Sequence, residues 1–166
     1  MSTTPTKSEL ELLVHALSWN DNYDCYTRAG LEKIIWPKIA RHAKFVIFID
    51  VDDMHSLNEQ HGYDGVNDII KMSLSIRKSD YVAGQWFSGD EIAVFITDDP
   101  QRVNSDPVEM CQRLLEAFKK HGASATFGIA PVKSTHLETV IKPAFELVQR
   151  AKSDNRRGTI NLADGV

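Results

Sequence analysis

The sequence has little cysteine, no long apolar run and no excess of positive charge. Its two cysteines, Cys25 and Cys111, form neither a disulfide framework nor a zinc-type pair, which predicts a reducing, cytoplasmic compartment. Apolar runs such as Phe45–Ile49 have at most five residues, whereas a membrane-spanning helix needs about 20. The first eight residues are polar and lack the apolar core of a secretory signal. We therefore expect no membrane association.

Charge and motif content exclude several classes of function. Nineteen Lys and Arg against 23 Asp and Glu give a net charge of −4, the wrong sign for binding a nucleic-acid polymer. A small phosphorylated ligand needs only a local cluster of cations and stays open as a partner. The six histidines lack metal-ligand spacing and no Gly-x-Ser-x-Gly motif occurs, so zinc hydrolysis and serine chemistry are not predicted.

Length and hydrophobic periodicity predict one domain of alternating helices and strands. A chain of 166 residues with 42% hydrophobic residues can form a single core. The expected elements are helices over 8–19, 31–40 (interrupted at Pro37), 53–61, 64–78 (after Gly62), 107–120 and 136–152, and strands over 44–50, 81–87, 92–97, 123–130 and 159–162. Their β-α-β-β-α-β order predicts the α+β class, a ferredoxin-like antiparallel-rich sheet with helices on one face.

The two ends of the chain are predicted to differ in role. Residues 1–22 form an N-terminal lead-in with a short helix, and residues 23–166 form the main domain. Leu10, Leu13, Val14 and Leu17 recur at helical spacing in the lead-in. This short helix also offers a contact for a second copy of the chain.

Acidic residues stand where predicted apolar strands end. Asp50 closes the strand over 44–50, and Asp90 and Glu91 occupy the turn between two other strands. Carboxylates gathered at strand ends are typical of Mg²⁺ sites, which substrate phosphates usually complete. An equally simple interpretation is that Asp50, Asp52 and Asp53 cap the following helix and that Asp90 serves the turn.

A second charged group lies near the C-terminus. Lys152, Arg156 and Arg157 follow the last predicted helix and would suit a polyphosphate. The alternative is that they only complement the dipole at the C-terminal end of that helix, which favours cations whether or not a ligand binds.

Taken in order, these motifs resemble the GGDEF domain, the catalytic domain of diguanylate cyclases, over about residues 23–162. The matching residues are Phe48-Ile-Asp50-Val-Asp52, Asn58, Gly62, Phe87-Ser-Gly-Asp-Glu-Ile92, Thr126-Phe-Gly-Ile-Ala130, Ala151-Lys152 and Arg156. The resemblance implies a ferredoxin-like palm sheet with helices packed around it. It also implies a homodimer whose two protomers each hold one GTP and condense them into cyclic di-GMP and pyrophosphate.

The resemblance assigns roles to individual residues. Asp50, Asp90 and the main-chain carbonyl of Val51 would hold two Mg²⁺ (or Mn²⁺) ions per active site. Asp50 and Asp90 thereby count as catalytic residues, together with Glu91, which would support the metal site.

Substrate binding is assigned in the same way. Asn58 would hydrogen-bond guanine, and Lys152 and Arg156 would grip the triphosphate. The backbone near Asp53 and Met54 would wrap the β- and γ-phosphates with its amides.

Two further substrate-binding positions depart from the family pattern. His55 replaces a phosphate-contacting Lys, which makes that contact weaker or pH-dependent. Asn67 replaces an Asp that reads the guanine edge. An amide both donates and accepts hydrogen bonds, so adenine becomes tolerable. GTP, with ATP as a second substrate, is therefore the expected small-molecule partner.

Departures elsewhere keep other functions open. The signature reads Ser88-Gly-Asp-Glu-Ile92, Trp86 replaces the usual Arg, and Tyr63 and Val66 replace a His and a Gly beside the base. A synthase that makes adenine-containing cyclic dinucleotides is one alternative. An inactive module that binds a nucleotide or cyclic dinucleotide for signalling is the other.

Two segments of the resemblance are irregular. Arg77-Lys-Ser-Asp80 has the form of the family's product-inhibition site but lies two residues further from the signature than usual. Its alternative interpretation is a salt-bridged surface pair. The entry segment Asp24–Leu31 retains an Asp, a Thr and an Arg but is shortened, which predicts an altered lead-in or dimer geometry.

Overall fold

The computed structural model describes residues 4–99 and 106–166. The first three residues of the predicted lead-in lie outside the described residues. The helices are α1 (Lys7–Ser18), α2 (Arg28–Gly30), α3 (Trp36–Ile39), α4 (Met54–Leu74), α5 (Pro107–Lys120) and α6 (Leu137–Ser153). The strands are β1 (Trp19–Asn20), β2 (Cys25–Tyr26), β3 (Ala43–Val51), β4 (Val82–Gln85), β5 (Glu91–Thr97), β6 (Ala125–Pro131) and β7 (Ile160–Leu162). A π-helical segment, Leu31–Ile35, joins α2 to α3, and a 3₁₀ turn covers Lys78–Asp80.

The strands form one seven-stranded sheet in the order β1-β2-β4-β5-β3-β6-β7. The central strand β3 pairs antiparallel with both β5 and β6, and only the β2–β4 and β6–β7 pairs are parallel. The predicted α+β class is confirmed. The two-residue strands β1 and β2 were not predicted, because so short a segment carries no detectable alternation.

Helices cover both faces of this sheet, as the resemblance implies, so the expectation from element order that they pack on one face was wrong. Ile47 and Ile49 of β3 point into a core that includes side chains of α4 and α5. Val46 and Phe48 point the other way, into a core shared with α6 and with the segment that contains Trp36. The reason lies in the sequence of β3, whose uninterrupted apolar run supplies both faces.

Most predicted boundaries are confirmed to within a few residues, and the larger differences have local causes. Helix α4 is broken at Gly62, whose φ of +70° and ψ of 168° are non-helical, as the predicted junction requires. It ends at Leu74 rather than 78, and Arg77 then has a left-handed φ of 49°. The predicted helix over 31–40 begins at Arg28 and widens into the π-helical segment before Pro37, which cannot donate a backbone hydrogen bond.

Helix α1 differs from every longer helix of the domain because none of its residues is buried. Thr6 and Glu9 form a capping box at its start, which explains why the helix forms locally. Leu12 and Leu17 are 69% and 61% exposed.

None of the helices within residues 4–99 and 106–166 has both the length and the apolar character that a membrane-spanning helix needs.

Candidate active site

The C-terminal end of β3 brings the predicted acidic residues together. Asp50 lies opposite Glu91 of β5 and Thr126 of β6. The amide of Val51 donates to the Asp90 carbonyl over 2.9 Å. The long apolar register of β3 against β5 therefore places Asp50, Val51 and the Asp90–Glu91 pair at one edge of the sheet.

The turn that carries Asp90 is held by its own hydrogen bonds. Glu91 N donates to Ser88 O over 3.2 Å, and Trp86 N donates to Glu91 O over 2.9 Å. Ser88 Oγ donates to Asp90 Oδ1 over 2.6 Å, and Phe87 N donates to Glu91 Oε2 over 3.2 Å. Serine at the first signature position thus stabilises the orientation of the adjacent carboxylate.

Asp50 is a buried carboxylate with one strong cationic partner. It is 7% exposed, and its Oδ1 lies 2.7 Å from Lys152 Nζ. Burial raises the pKa of Asp50 to about 6, although Lys152 opposes this shift and the Asp90 and Glu91 carboxylates add to it. The charged form that a metal ion needs is therefore costly in the absence of a further cation.

The interpretation that Asp50, Asp52 and Asp53 merely cap α4 does not fit the structure. Asp52 is buried and accepts a hydrogen bond from Thr126 Oγ1 over 2.7 Å. Asp53 occupies the N-cap position with a left-handed φ of 52°, and its side chain makes no capping hydrogen bond. The Asp50 side chain is directed to Lys152 instead.

The cations after α6 reach different partners. Lys152, 19% exposed, contacts Asp50 and also lies 3.5 Å from Asp52 Oδ1. Arg156 Nη1 donates to Asn161 Oδ1 over 2.7 Å, which directs it along β7. Arg157 Nε lies 4.0 Å from the Asp53 carboxylate. Interaction with the helix dipole alone does not explain Lys152 and Arg157, because both pair with carboxylates of the β3–α4 junction.

Predicted base-contacting residues lie on α4, on either side of the Gly62 break. Asn58 precedes the break and Asn67 follows it, and both are half-buried. Tyr63 is 79% exposed, whereas Val66 is buried in the core. The base-contacting positions are thus carried by the two arms of one broken helix.

The positions predicted to contact phosphate open α4. Met54 is half-buried, and the backbone of Asp53 and Met54 leads directly out of the β3 end. His55 is exposed and lies 3.2 Å from Glu59 in an i,i+4 pair. His55 therefore points along the helix surface toward an acid, which is a poor orientation for binding an anion.

The donor set at the strand ends fits a hard divalent cation. Asp50, Asp90 and the Val51 carbonyl offer only oxygen ligands, and a buried carboxylate with a raised pKa gains from an added positive charge. Among the residues that the structure describes, no three His, Cys, Asp or Glu side chains lie close enough together to hold an ion alone. Such an ion would thus need ligands from a substrate.

The Arg77–Asp80 motif is an internal ion pair. Arg77 Nε donates to Asp80 Oδ2 over 2.7 Å, and Arg77 Nη1 lies 3.5 Å from Glu109. Asp80 is 5% exposed. Both charges are thus paired within the domain, but Asp80 is buried, so this is not the salt-bridged or solvated surface pair of the alternative interpretation.

One contact at the signature turn was missed by sequence reasoning. The guanidinium of Arg28 lies over the rings of Trp86 and Phe87. Its only sequence signal was the Arg retained in the entry segment, and nothing in the spacing indicated the turn as its partner. A Cβ built on Gly89 would lie 3.4 Å from the hydroxyl of Tyr23. The N-terminal part of the domain therefore approaches the turn at two residues, Tyr23 and Arg28.

Comparison with known proteins identifies a family. The family model described as "Diguanylate cyclase, GGDEF domain" matches residues 25–158. The uncharacterized protein YtrP of Bacillus subtilis is 26% identical over 114 residues, which are 66% of this chain and 19% of YtrP. This chain therefore spans about a fifth of the length of that relative.

Solved structures show the same fold. Diguanylate cyclase SiaD of Pseudomonas aeruginosa, solved with its activator SiaC, superposes with a TM-score of 0.69 at 16% identity, over 94% of this chain and 66% of SiaD. The coiled coil and GGDEF domain of DgcB of Caulobacter crescentus, solved with c-di-GMP, superposes with a TM-score of 0.69 at 14% identity, over 95% and 91% of the two chains. With the family model covering most of the chain and the fold in agreement, this protein belongs to the diguanylate cyclase GGDEF domain family.

Proposed function

We propose that this protein is a metal-dependent cyclic-dinucleotide synthase that condenses two GTP molecules into cyclic di-GMP and pyrophosphate. The observation that carries the proposal is the meeting of Asp50 and the Asp90–Glu91 turn at one sheet edge, with Lys152 directed at Asp50. A carboxylate pair beside a cation is suited to binding both a metal ion and a nucleoside triphosphate.

In this proposal the triphosphate is bound where α4 begins and α6 ends. Lys152 exchanges its contact with Asp50 for the phosphates, and Arg156 moves from Asn161 to join it. The backbone of Asp53 and Met54 joins β3 to the start of α4, and amides at a helix N-terminus are suited to bind phosphate. His55 contributes little, since it pairs with Glu59.

The reaction needs a 3′-hydroxyl that loses its proton and attacks the α-phosphorus of the facing nucleotide, while the α–β phosphoanhydride bond breaks and pyrophosphate leaves. The same displacement occurs in both directions across the dimer, so two pyrophosphates are released for each cyclic di-GMP. Mg²⁺ or Mn²⁺, held by Asp50, Asp90 and the Val51 carbonyl, would supply charge stabilisation for that displacement. Glu91 lies beside Asp90 and orients the turn through its bond to Phe87 N. Since each protomer holds one nucleotide, catalysis requires a homodimer.

Asn67 favours a second candidate of the same class. Its amide replaces a carboxylate at a position that would otherwise select guanine, so the enzyme accepts ATP alongside GTP and makes mixed products. Asn58 provides the remaining contact to the base edge. Tyr63, which replaces a His beside the base, is a further difference from a guanine-specific pocket.

A non-catalytic nucleotide receptor is the alternative from another class. The replacements at Trp86 and His55 favour it, because each removes a positive charge from the family pattern. The Arg77–Asp80 pair, proposed as an inhibitory product site, would have to break its internal contacts before it could bind product.

The test is to identify products. The purified chain is incubated at high concentration with GTP, ATP or both, in Mg²⁺ and separately in Mn²⁺, and products are separated by chromatography and weighed by mass spectrometry. We expect a cyclic dinucleotide whose bases report the role of Asn67. A folded dimer that binds GTP in calorimetry yet forms no product in any mixture would replace the synthase with the receptor.

A further inference from the structure

Arg28 joins the N-terminal segment to the turn that carries Asp90. Its Cζ atom lies 4.1 Å from the ring centroid of Trp86 and 3.6 Å from that of Phe87. The two rings also contact each other edge to face, with centroids 5.5 Å apart. A guanidinium at this distance from two aromatic rings is a favourable cation–π arrangement.

The guanidinium is held in place from two other sides. Arg28 Nε donates to Glu32 over 2.8 Å, and Nη2 donates to Glu138 of α6 over 3.2 Å. The Arg28 side chain is 23% exposed, so solvent screens these contacts only partly. Arg28 therefore connects the π-helical segment, the first turn of α6 and the signature turn.

Phe87 depends on this contact more than Trp86 does. Trp86 is buried in the core beneath α6, whereas Phe87 is 74% exposed. The Phe87 ring contacts the neighbouring Trp86 ring and the Arg28 guanidinium, and it lines an open pocket with Ile141 and Phe145 of α6. Phe87 N in turn donates to the Glu91 carboxylate, so the position of Phe87 is coupled to the acidic residues.

The backbone on either side of Arg28 is also held in place. Thr27 N donates to Ser18 O over 2.9 Å, and Thr27 Oγ1 donates to Leu17 O over 2.6 Å. A Cβ built on Gly30 would lie 2.0 Å from Ser18 O, so only glycine permits this approach of α2 to the end of α1. The start of α2 is thus hydrogen-bonded to the end of α1, and we call these two helices the locked α1–α2 unit. Arg28 is the first residue of α2.

We propose that Arg28 is a positioning residue that holds the Phe87–Asp90 turn against the locked α1–α2 unit and thereby fixes the Asp90 carboxylate. Arg28 touches no substrate in this role and acts through the aromatic pair. Its catalytic consequence rests on the proposed function, whereas its effect on the turn does not.

The first readout is hydrogen–deuterium exchange of the amides of residues 86–91. Arg28→Met removes the charge and the planar group, and Arg28→Lys keeps the charge without the planar fork. We expect at least about tenfold faster exchange in Arg28→Met, corresponding to the loss of about 1.4 kcal/mol of protection, and a smaller change in Arg28→Lys. Arg113→Met is the matched control, because Arg113 pairs with Glu109 on α5.

A second variant keeps the test valid if Arg28→Met fails to fold. Phe87→Leu removes the exposed ring from the other side of the same contact and leaves the buried core unchanged. It should reproduce the faster exchange. Unchanged exchange at residues 86–91 in folded Arg28→Met or Phe87→Leu would overturn the proposal, whether or not the protein is a synthase.

The kinetic readout separates positioning from binding. If the wild-type chain makes a cyclic dinucleotide, Arg28→Met should lower kcat by about 10- to 100-fold and leave KM within about twofold, because a displaced carboxylate impairs the transition state. Arg28→Lys should recover part of kcat. Faster exchange with an unchanged kcat, or a raised KM at constant kcat, would refute the role. If the wild-type protein makes no product, the proposed synthase function fails, and the exchange experiment still decides whether Arg28 holds the turn.

Discussion

The proposed phosphate end and the proposed base end of the site are built in different ways. Asp50 and Lys152 meet at the buried edge of the sheet, held by three paired strands and by the end of α6. Asn58 and Asn67 lie on the two arms of a helix broken at Gly62, with Tyr63 largely exposed between them.

The two ends also differ in how they depart from the family pattern: the phosphate end departs at the exposed His55 and keeps its buried charge pair, whereas the base end departs at three positions. Asp50, Asp90 and Lys152 match the residues that the resemblance assigns to metal and phosphate, whereas Tyr63, Val66 and Asn67 do not match at the base. A substitution at the sheet edge disturbs several strands and a buried charge pair at once. A substitution at the exposed Tyr63 or the half-buried Asn67 disturbs fewer contacts, so base choice can vary while the Asp50–Lys152 pair is kept.

The largest expected effect comes from removing Asp90, the proposed metal ligand of the turn. Asp90→Asn keeps the size of the side chain but removes its negative charge, so we expect turnover to fall by at least about 10³-fold. The fold should persist, because Asp90 lies in a half-exposed turn. Product mass spectrometry and thermal unfolding measure both effects.

Asp164→Asn is the matched control for that experiment, since Asp164 is an exposed carboxylate in the C-terminal tail. It should leave turnover and stability unchanged. Full turnover by a folded Asp90→Asn variant would contradict the assignment of the metal site.

The second prediction concerns the stability of the buried pair. The pKa of Asp50 is raised from its ordinary value of 3.8 to about 6 in the folded protein, so folding favours the protonated acid. The charged carboxylate therefore lowers the stability of the metal-free fold as pH rises from about 4 through about 6. At pH 8 the free energy of unfolding of Asp50→Asn should exceed that of the wild-type protein by about 1–3 kcal/mol. This gain should vanish below about pH 4.

Denaturant unfolding across this pH range measures the difference in unfolding free energy between Asp50→Asn and the wild-type protein. Titration with Mn²⁺ measures how metal affinity depends on pH. Mn²⁺ binding should weaken in the wild-type protein as pH falls through about 6, since the ligand must be deprotonated. Asn58→Ala, at the base end, should show no pH-dependent change in stability of this kind. A variant Asp50→Asn that is less stable than wild type at pH 8 would show that pairing with Lys152 outweighs burial.

The smallest expected effect lies at the base. Asn67→Asp restores an acceptor-only side chain that suits the N1–H and N2–H₂ donors of guanine. In an equimolar mixture of GTP and ATP, we expect the product ratio to move about 3- to 10-fold toward cyclic di-GMP, the value of one hydrogen bond. Asn67→Ala supplies the comparison, because it accepts from neither base. An unchanged ratio would show that residue 67 does not contact the base.

Much of the fold was predictable because its elements are locally encoded. The apolar run of β3, the Gly62 break and the Ser88–Glu91 turn each follow from a few adjacent residues. The strands β1 and β2 were not predicted because two residues are too few to show alternation, and β2 also depends on its distant partner β4. The π-helical segment was not predicted because its apolar spacing resembles that of an ordinary α-helix. The packing of helices on both faces also exceeded what element order alone implies.

The candidate site shows the same division. Apolar strands that end in Asp50 and in the Asp90–Glu91 turn identified the acidic edge, and the strand register places Asp50 opposite Glu91. The sequence left two interpretations of Lys152 open, and only the tertiary structure shows its contact with Asp50. The pairing of Arg77 with both Asp80 and Glu109 was likewise beyond sequence reasoning, because Glu109 belongs to another helix.

By itself, the sequence determined the order of strands and helices, the acidic residues at the strand ends and the family to which they belong. These properties depend on side chains within a few positions of each other, where periodicity and turn chemistry act directly. Tertiary structure alone decided which distant charges meet, that Lys152 pairs with Asp50 and that Arg28 covers Phe87. Such contacts join residues about 60 to 100 positions apart, and packing of the whole sheet is what brings them within reach.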